Sequence, residues 1–218
     1  MTDQLEFARH QMIQQQVRAW EVLDPRVLEV LESVPRERFV PEAYRDVAFA
    51  DTSVPIGHGQ CMLPPKVEGR ILQALEPGRS DRVLEVGTGT GFFAACLAEL
   101  ASNVESIEIH AELAERAAAR LAAEGYGRVQ VLNGDVFARP LTEGYDVIVL
   151  TGSLPVYDPR FERVLGVGGR LFAVVGTGPV MEARLITRTA PDAWFSESLF
   201  ETRIEPLLNA APASRFIF

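Results

Sequence analysis

Three alternate glycines, Gly87, Gly89 and Gly91, follow directly on the apolar run Val83-Leu84-Glu85-Val86 and lead into Phe92-Phe93-Ala94-Ala95-Cys96-Leu97. Glycine has no Cβ, so such a corner takes left-handed backbone angles and lets a ligand lie against the main chain. A helix that starts there also offers unpaired N–H groups. Two acids stand downstream at informative positions. Glu108 closes the run Asn103-Val104-Glu105-Ser106-Ile107, about 20 residues beyond the corner, where a carboxylate can accept both hydroxyls of a ribose. Asp135 closes a second run, Val129-Gln130-Val131-Leu132-Asn133-Gly134. The spacing G-x-G-x-G differs from the G-x-G-x-x-G of a pyrophosphate-binding turn and by itself also fits a plain strand-to-helix connection; the acid at the second spacing favours a ligand site.

These residues need a frame that brings three strand ends together. Arg82 to Val86 reads as a buried strand and Phe92 to Leu100 as a helix packed on it. The runs ending at Glu108 and Asp135 are two further strands. Gly144 to Leu150 is a fourth, running into Thr151-Gly152-Ser153-Leu154-Pro155, and Gly168 to Gly176 a fifth after a short helix around Pro159 to Leu165. Alternation of this kind marks a doubly wound α/β sheet. Met181 to Thr189 and Trp194 to Arg203 each alternate apolar with polar residues and predict an antiparallel hairpin at the sheet edge.

Upstream, Leu5 to Trp20 and the stretch from Asp24-Pro25 to Ser33 read as helices. Pro35 to Asp46 reads as a compact linker, and Asp51 to Pro65 as a functional loop too rich in glycine and proline for regular structure. From Pro65 the chain turns helical again, with Val67, Ile71, Leu72 and Leu75 on one face.

The chain has 218 residues, 47% of them apolar, which suits a single domain with a full core. A formal net charge of −9 argues against a general nucleic-acid binder. No stretch approaches the roughly 18 apolar residues of a membrane span, and the N-terminal residues do not resemble a signal peptide. The expectation is a cytoplasmic monomer with no nucleic-acid or membrane partner. Cys61 and Cys96 belong to no metal-ligand spacing, and Cys96 reads as core, so no metal is expected.

Glu85 to Gly91, with Glu108 and Asp135, resembles the Glu-x-Gly-x-Gly-x-Gly signature of class I S-adenosylmethionine-dependent methyltransferases. Val34-Pro35-Arg36-Glu37-Arg38-Phe39-Val40-Pro41, Pro55-Ile56-Gly57-His58-Gly59-Gln60 and Tyr145-Asp146-Val147-Ile148-Val149 narrow the resemblance to the protein-L-isoaspartate O-methyltransferase family, over roughly residues 10 to 210. The fold implied is α/β, a Rossmann-like doubly wound sheet, mostly parallel with an antiparallel C-terminal edge, plus N-terminal helices. It divides into N-terminal helices and acceptor loop (1–64), a cofactor-binding core (65–176) and a C-terminal hairpin region (177–218). The activity implied is methylation of the free α-carboxylate of an isoaspartyl residue, with S-adenosyl-L-methionine as cofactor and an isoaspartyl peptide or protein as partner.

By the same resemblance, Gly87, Thr88 and Gly89 lie under the cofactor's methionine part with Glu85 close by, and Glu108 holds the ribose. Asp135 and Val136 bound the adenine, and Gln60, Cys61 and Met62 cover the cofactor near its methyl. One departure stands out. Where the family has Thr-Ile-Ser this chain has Cys61-Met62-Leu63, so the serine hydroxyl near the transferred methyl is absent at Leu63. Losing one orienting hydrogen bond costs on the order of 1–3 kcal/mol, or roughly 10- to 100-fold in rate. Two alternatives therefore stand beside the isoaspartyl reading: another acceptor, such as a small carboxylate, or a non-catalytic cofactor-binding protein.

Ser153, with Thr151 and Gly152, follows the fourth strand and is a candidate to replace the lost hydroxyl. His58 is open to two readings, a catalytic base or a filler between two glycines. His10 and His110 read as surface residues, Trp194, Phe195 and Phe200 as hairpin core, and Asp146 as a structural residue at a strand start.

Overall fold

The computed structural model describes residues 2–213. Helix α1 (Thr2–Met12) runs on through a π-helical turn, Ile13–Val17, and a 3-10 turn, Arg18–Trp20. Asp24 caps α2 (Pro25–Ser33) by accepting the Arg26 N–H at 2.9 Å, while Pro25 fills the first turn, where a missing N–H has no cost. Within the segment read as a plain linker lie a single helical turn, α3 (Arg36–Phe39), and a 3-10 stretch, Glu42–Val47.

The loop expected from Asp51 to Pro65 is largely a two-stranded hairpin, β1 (Val54–Gly57) and β2 (Gln60–Met62), so that expectation is corrected. The turn residues His58 and Gly59 both have positive φ, +54° and +72°, the twist that lets a tight turn match its strands. Pro65 then opens α4 (Pro65–Leu75).

The remaining elements are β3 (Arg82–Val86), α5 (Phe92–Leu100), β4 (Asn103–Glu108), α6 (Ala111–Ala123), β5 (Gln130–Asn133), β6 (Tyr145–Leu154), α7 (Arg160–Arg163), β7 (Leu165–Val175), β8 (Met181–Ala190) and β9 (Ala193–Thr202). They form one seven-stranded sheet in the order β5-β4-β3-β6-β7-β8-β9. Strands β3 to β7 are parallel, and β8 and β9 complete an antiparallel edge, as the sequence implies. Thr151 to Leu154 belong to β6 itself rather than to a loop after it.

Both faces of the central strands are buried. Val83, Val147, Val149 and Phe172 face the N-terminal helices, α4 and α5, whereas Leu84, Ile148, Leu150 and Leu171 face Phe161 of α7 and the irregular chain beside it. Burial on both sides explains why the central strands read as unbroken apolar runs. The order of strand addition reverses at β3, with β4 and β5 laid down on one side and β6 and β7 on the other, which leaves a crevice at the carboxyl ends of the strands. No helix among the described residues is long and apolar enough to cross a membrane.

Candidate active site

The glycine corner closes over the end of β3. Gly87 (φ +99°) donates its N–H to Ile107 O at 2.8 Å, which ties the corner to β4. A Cβ at Gly87 would collide with Thr151 Oγ1, and that hydroxyl lies 2.7 Å from Gly87 O and 3.0 Å from Val86 O. Gly89 (φ +55°) gives its N–H to Glu108 Oε2 at 2.9 Å, and the other oxygen of Glu108 accepts the His110 N–H at 3.0 Å. Asp135 is fixed in the same way, Oδ1 by the Phe137 N–H at 2.8 Å and Oδ2 by Asn209 Nδ2 at 2.9 Å.

The three strand ends meet on one cleft of about 610 Å³. Gly87, Gly89, Glu108, Asp135 and Val136 line it, with Gln60 and Cys61 of the hairpin opposite. Ile107, Ile109, Leu113 and Phe137 make the rest of its wall apolar, and Leu207 and Leu208 bring the C-terminal segment against it. A second pocket of about 330 Å³ shares Ile56, Cys61, Gly87, Gly89 and Thr151 with the cleft. Met62, Leu63, Glu68, Thr88, Thr90, Phe92 and Phe93 complete it.

Below this pocket a buried ion pair sets the loop. Arg36, 1% exposed, pairs with Glu68 through Nη1 and donates from Nε to Ala48 O at 2.8 Å and from Nη2 to Leu63 O at 2.7 Å, and its guanidinium lies 4.8 Å from the centre of the Phe92 ring. Burial pushes the Glu68 carboxyl up to about 7 even with Arg36 drawing it down. The pair couples two segments that meet only in the fold. The Pro-Arg-Glu block held the signal for Arg36, but no local pattern pointed to Glu68.

Three expectations about the cleft need correction. Glu85 does not reach the cleft: it is fully buried and hydrogen-bonded to Ser106, whose hydroxyl in turn meets Thr88 Oγ1 at 2.5 Å. Burial raises its carboxyl to about 8, and its Oε1 has no hydrogen-bond partner. Ser153 is also fully buried, and its hydroxyl donates to Ile204 O at 3.1 Å, facing the C-terminal segment. It therefore does not replace the missing hydroxyl, and Thr151 and Gly152 line the cleft instead. Finally, His110 is not a plain surface residue. It lines the cleft and stacks on His58, with ring centres 4.2 Å apart and planes 18° from parallel.

His58 Nε2 lies 3.1 Å from Glu112 Oε2, so the tip of the hairpin rests on the start of α6, a helix the sequence reading did not single out. Leu63 is 8% exposed, with its side chain in the second pocket. Cys61 is exposed, and burial of its thiol together with the charge of Glu205 raises its pKa, which does not favour a thiolate nucleophile. Phe195, expected in the hairpin core, is 60% exposed because its side of β9 has no covering layer, whereas Phe200 packs against Trp20. Among the described residues no group of three or more His, Cys, Asp or Glu is placed to hold a metal ion.

Comparison with known proteins agrees with this geometry. Residues 8–209 match the family model described as Protein-L-isoaspartate(D-aspartate) O-methyltransferase (PCMT). The chain is 40% identical over 203 residues to Protein-L-isoaspartate O-methyltransferase 1 of Rhodopseudomonas palustris, covering 92% of this chain and 83% of that one. It is 38% identical over 207 residues to Protein-L-isoaspartate O-methyltransferase 2 of Pelobacter propionicus, covering 94% and 92%. Among solved structures, a Plasmodium falciparum chain assigned as a protein-L-isoaspartate O-methyltransferase, in complex with S-adenosyl-L-homocysteine, superposes with a TM-score of 0.77. Its identity is 17%, and 91% of this chain and 97% of that one are covered.

Proposed function

The chain belongs to the protein-L-isoaspartate(D-aspartate) O-methyltransferase family, and we propose how its residues share the work of that reaction. The activity is methylation, dependent on S-adenosylmethionine, of the free α-carboxylate of isoaspartyl residues in proteins and peptides. The observation that carries the reading is the convergence of Gly87, Gly89, Glu108 and Asp135 on one cleft that continues into the pocket beside Leu63. The other two readings, a different acceptor or a binder without catalysis, are not favoured by any feature of the site or of the relatives.

The residues present fit the cofactor. A corner of positive-φ glycines gives close approach, and two carboxylates, on the ends of neighbouring strands, suit hydroxyl and amino donors. The apolar wall from Ile107 to Phe137 suits a purine. When bound, S-adenosylmethionine supplies a methyl group activated on a sulfonium. Glu108 would hold the ribose, Asp135 and Val136 would bound the adenine, and Gly87, Thr88 and Gly89 would carry the methionine part. Gln60, Cys61 and Met62 would cover the cofactor from the hairpin side.

The rest of the chemistry asks little of acids and bases. A carboxylate acceptor with a pKa near 4 is already ionised at neutral pH, so no general base is needed. What the chain contributes is orientation and exclusion of water, through a loop pinned by Arg36 and walled by Met62 and Leu63.

The test is calorimetry with S-adenosylmethionine, then tritium transfer to an isoaspartyl peptide beside its aspartyl isomer. The expected result is one bound cofactor per chain and label on the isoaspartyl peptide alone. Cofactor binding without label on either peptide would overturn the acceptor assignment, and no binding would overturn the whole reading.

A further inference from the structure

With Leu63 in place of the family serine and Ser153 committed to Ile204 O, neither residue offers the acceptor carboxylate a hydrogen bond. A third cavity, of about 410 Å³, adjoins the site and shares Cys61 and Thr151 with both the cleft and the second pocket. It also shares Leu63 with the second pocket, and Ser53, Arg203 and Glu205 stand on its remaining wall. Among the described residues lining the three spaces, Arg203 is the one guanidinium or ammonium, and among the described residues it has no ion-pair partner.

We propose that Arg203 receives the α-carboxylate of the isoaspartyl residue and supplies the orienting contact that the loop has lost at Leu63. The proposal deepens the isoaspartyl reading and rests on it. A guanidinium presents two parallel N–H donors to a carboxylate, so it fixes the plane of the acceptor as well as its position, which one hydroxyl does not. The Ser53 hydroxyl lines the same cavity and is available to the same anion. Glu205 stands on the same wall and opposes the approach of an anion. An acceptor anion therefore gains only where it reaches the fork itself, a condition that selects a single, well-placed carboxylate over a diffuse negative charge. The cavity meets the cleft at Cys61 and Thr151, so a carboxylate anchored there lies beside the junction of the three spaces.

The experiment is steady-state tritium transfer to an isoaspartyl peptide with Arg203→Ala, Arg203→Lys and Glu205→Gln, each checked for S-adenosylmethionine affinity by calorimetry. Arg203→Ala should raise KM for the peptide roughly 10- to 100-fold, the loss of hydrogen bonds to a charged group, with cofactor affinity unchanged. Arg203→Lys should recover part of this, since it keeps the charge and loses the fork, and Glu205→Gln should lower KM. A KM within about twofold of wild type in an active Arg203→Ala enzyme overturns the proposal while leaving the activity in place. A wild type that binds cofactor and leaves the peptide unlabelled defeats the isoaspartyl reading, and the proposal falls with it.

Discussion

The carboxylate of Glu108 accepts the N–H of Gly89 at 2.9 Å, a contact between residues 19 apart that locks the glycine corner to the end of the neighbouring strand. The side chain proposed to hold the cofactor's ribose therefore also shapes the backbone on which the cofactor lies. Glu108→Ala should remove both contributions at once. S-adenosylmethionine affinity is expected to fall by roughly 1.5–3 kcal/mol, the range for hydrogen bonds to a charged group, that is about 10- to 150-fold. Glu108→Gln keeps one acceptor oxygen and should retain an intermediate affinity. Calorimetry on both variants checks the order, and equal losses would assign the whole effect to the charge.

Arg36 makes a second long-range connection, from the Pro-Arg-Glu block to the carbonyl of Leu63 and to Glu68. Removing it leaves a buried carboxylate without its cation, a change that typically costs about 3–5 kcal/mol. Arg36→Met should lose stability on this scale. The double variant Arg36→Met with Glu68→Gln should recover a large part of it, because no uncompensated charge remains. Denaturant midpoints measure both. Additive losses would show that the pair is not what holds this corner of the fold.

The sheet was legible because its central strands are buried on both faces and so read as unbroken apolar runs. Asp24-Pro25 at the start of α2 and the glycines after β3 are local signals with a direct physical meaning. Glu108 was legible for the same reason, since it ends a strand at a fixed distance from the corner. The hairpin from Val54 to Met62 was not, because its turn places a histidine at φ +54° where asparagine or glycine is the usual cue. Ser153 was misplaced because the strand continues past Leu150 with an irregular register, and register decides which way a side chain faces. Arg36 with Glu68, and Asp135 with Asn209, join segments 32 and 74 residues apart, and periodicity in one short window carries no trace of such pairs.

Glu85 gives the fold a pH dependence whose sign follows from its surroundings. Burial, foremost, raises its carboxyl from 4.5 to about 8, with the charges of Glu108 and Glu68 adding to the effect and Ser106 opposing it. Between those values the folded chain holds a proton that the unfolded chain releases. This contribution to stability is fully present below 4.5 and is lost as pH rises through about 8. Wild-type protein should therefore lose stability from about pH 5 to about pH 9, by a few kcal/mol at most, seen as falling thermal midpoints. Glu85→Gln, which keeps a neutral acceptor for the Ser106 hydroxyl, should reduce that slope, most clearly above about pH 7, where Glu68 no longer contributes. Parallel slopes in the two proteins would place the ionisation elsewhere.

Leu63→Ser restores the family hydroxyl and so asks whether its absence limits the enzyme. The leucine is 8% exposed and packs in the main core cluster, and its truncation should cost about 2–4 kcal/mol of stability, as for other buried leucines. Its effect on turnover separates two accounts of the acceptor site. If Arg203 already orients the carboxylate, a second donor adds little, and kcat/KM for an isoaspartyl peptide should stay within about threefold of wild type, or roughly 0.7 kcal/mol. In the Arg203→Ala background the same serine should recover activity, because it then supplies the one orienting contact left. A gain of tenfold or more in the single Leu63→Ser variant would show instead that the loop hydroxyl remains the limiting contact and that Arg203 does not take its place.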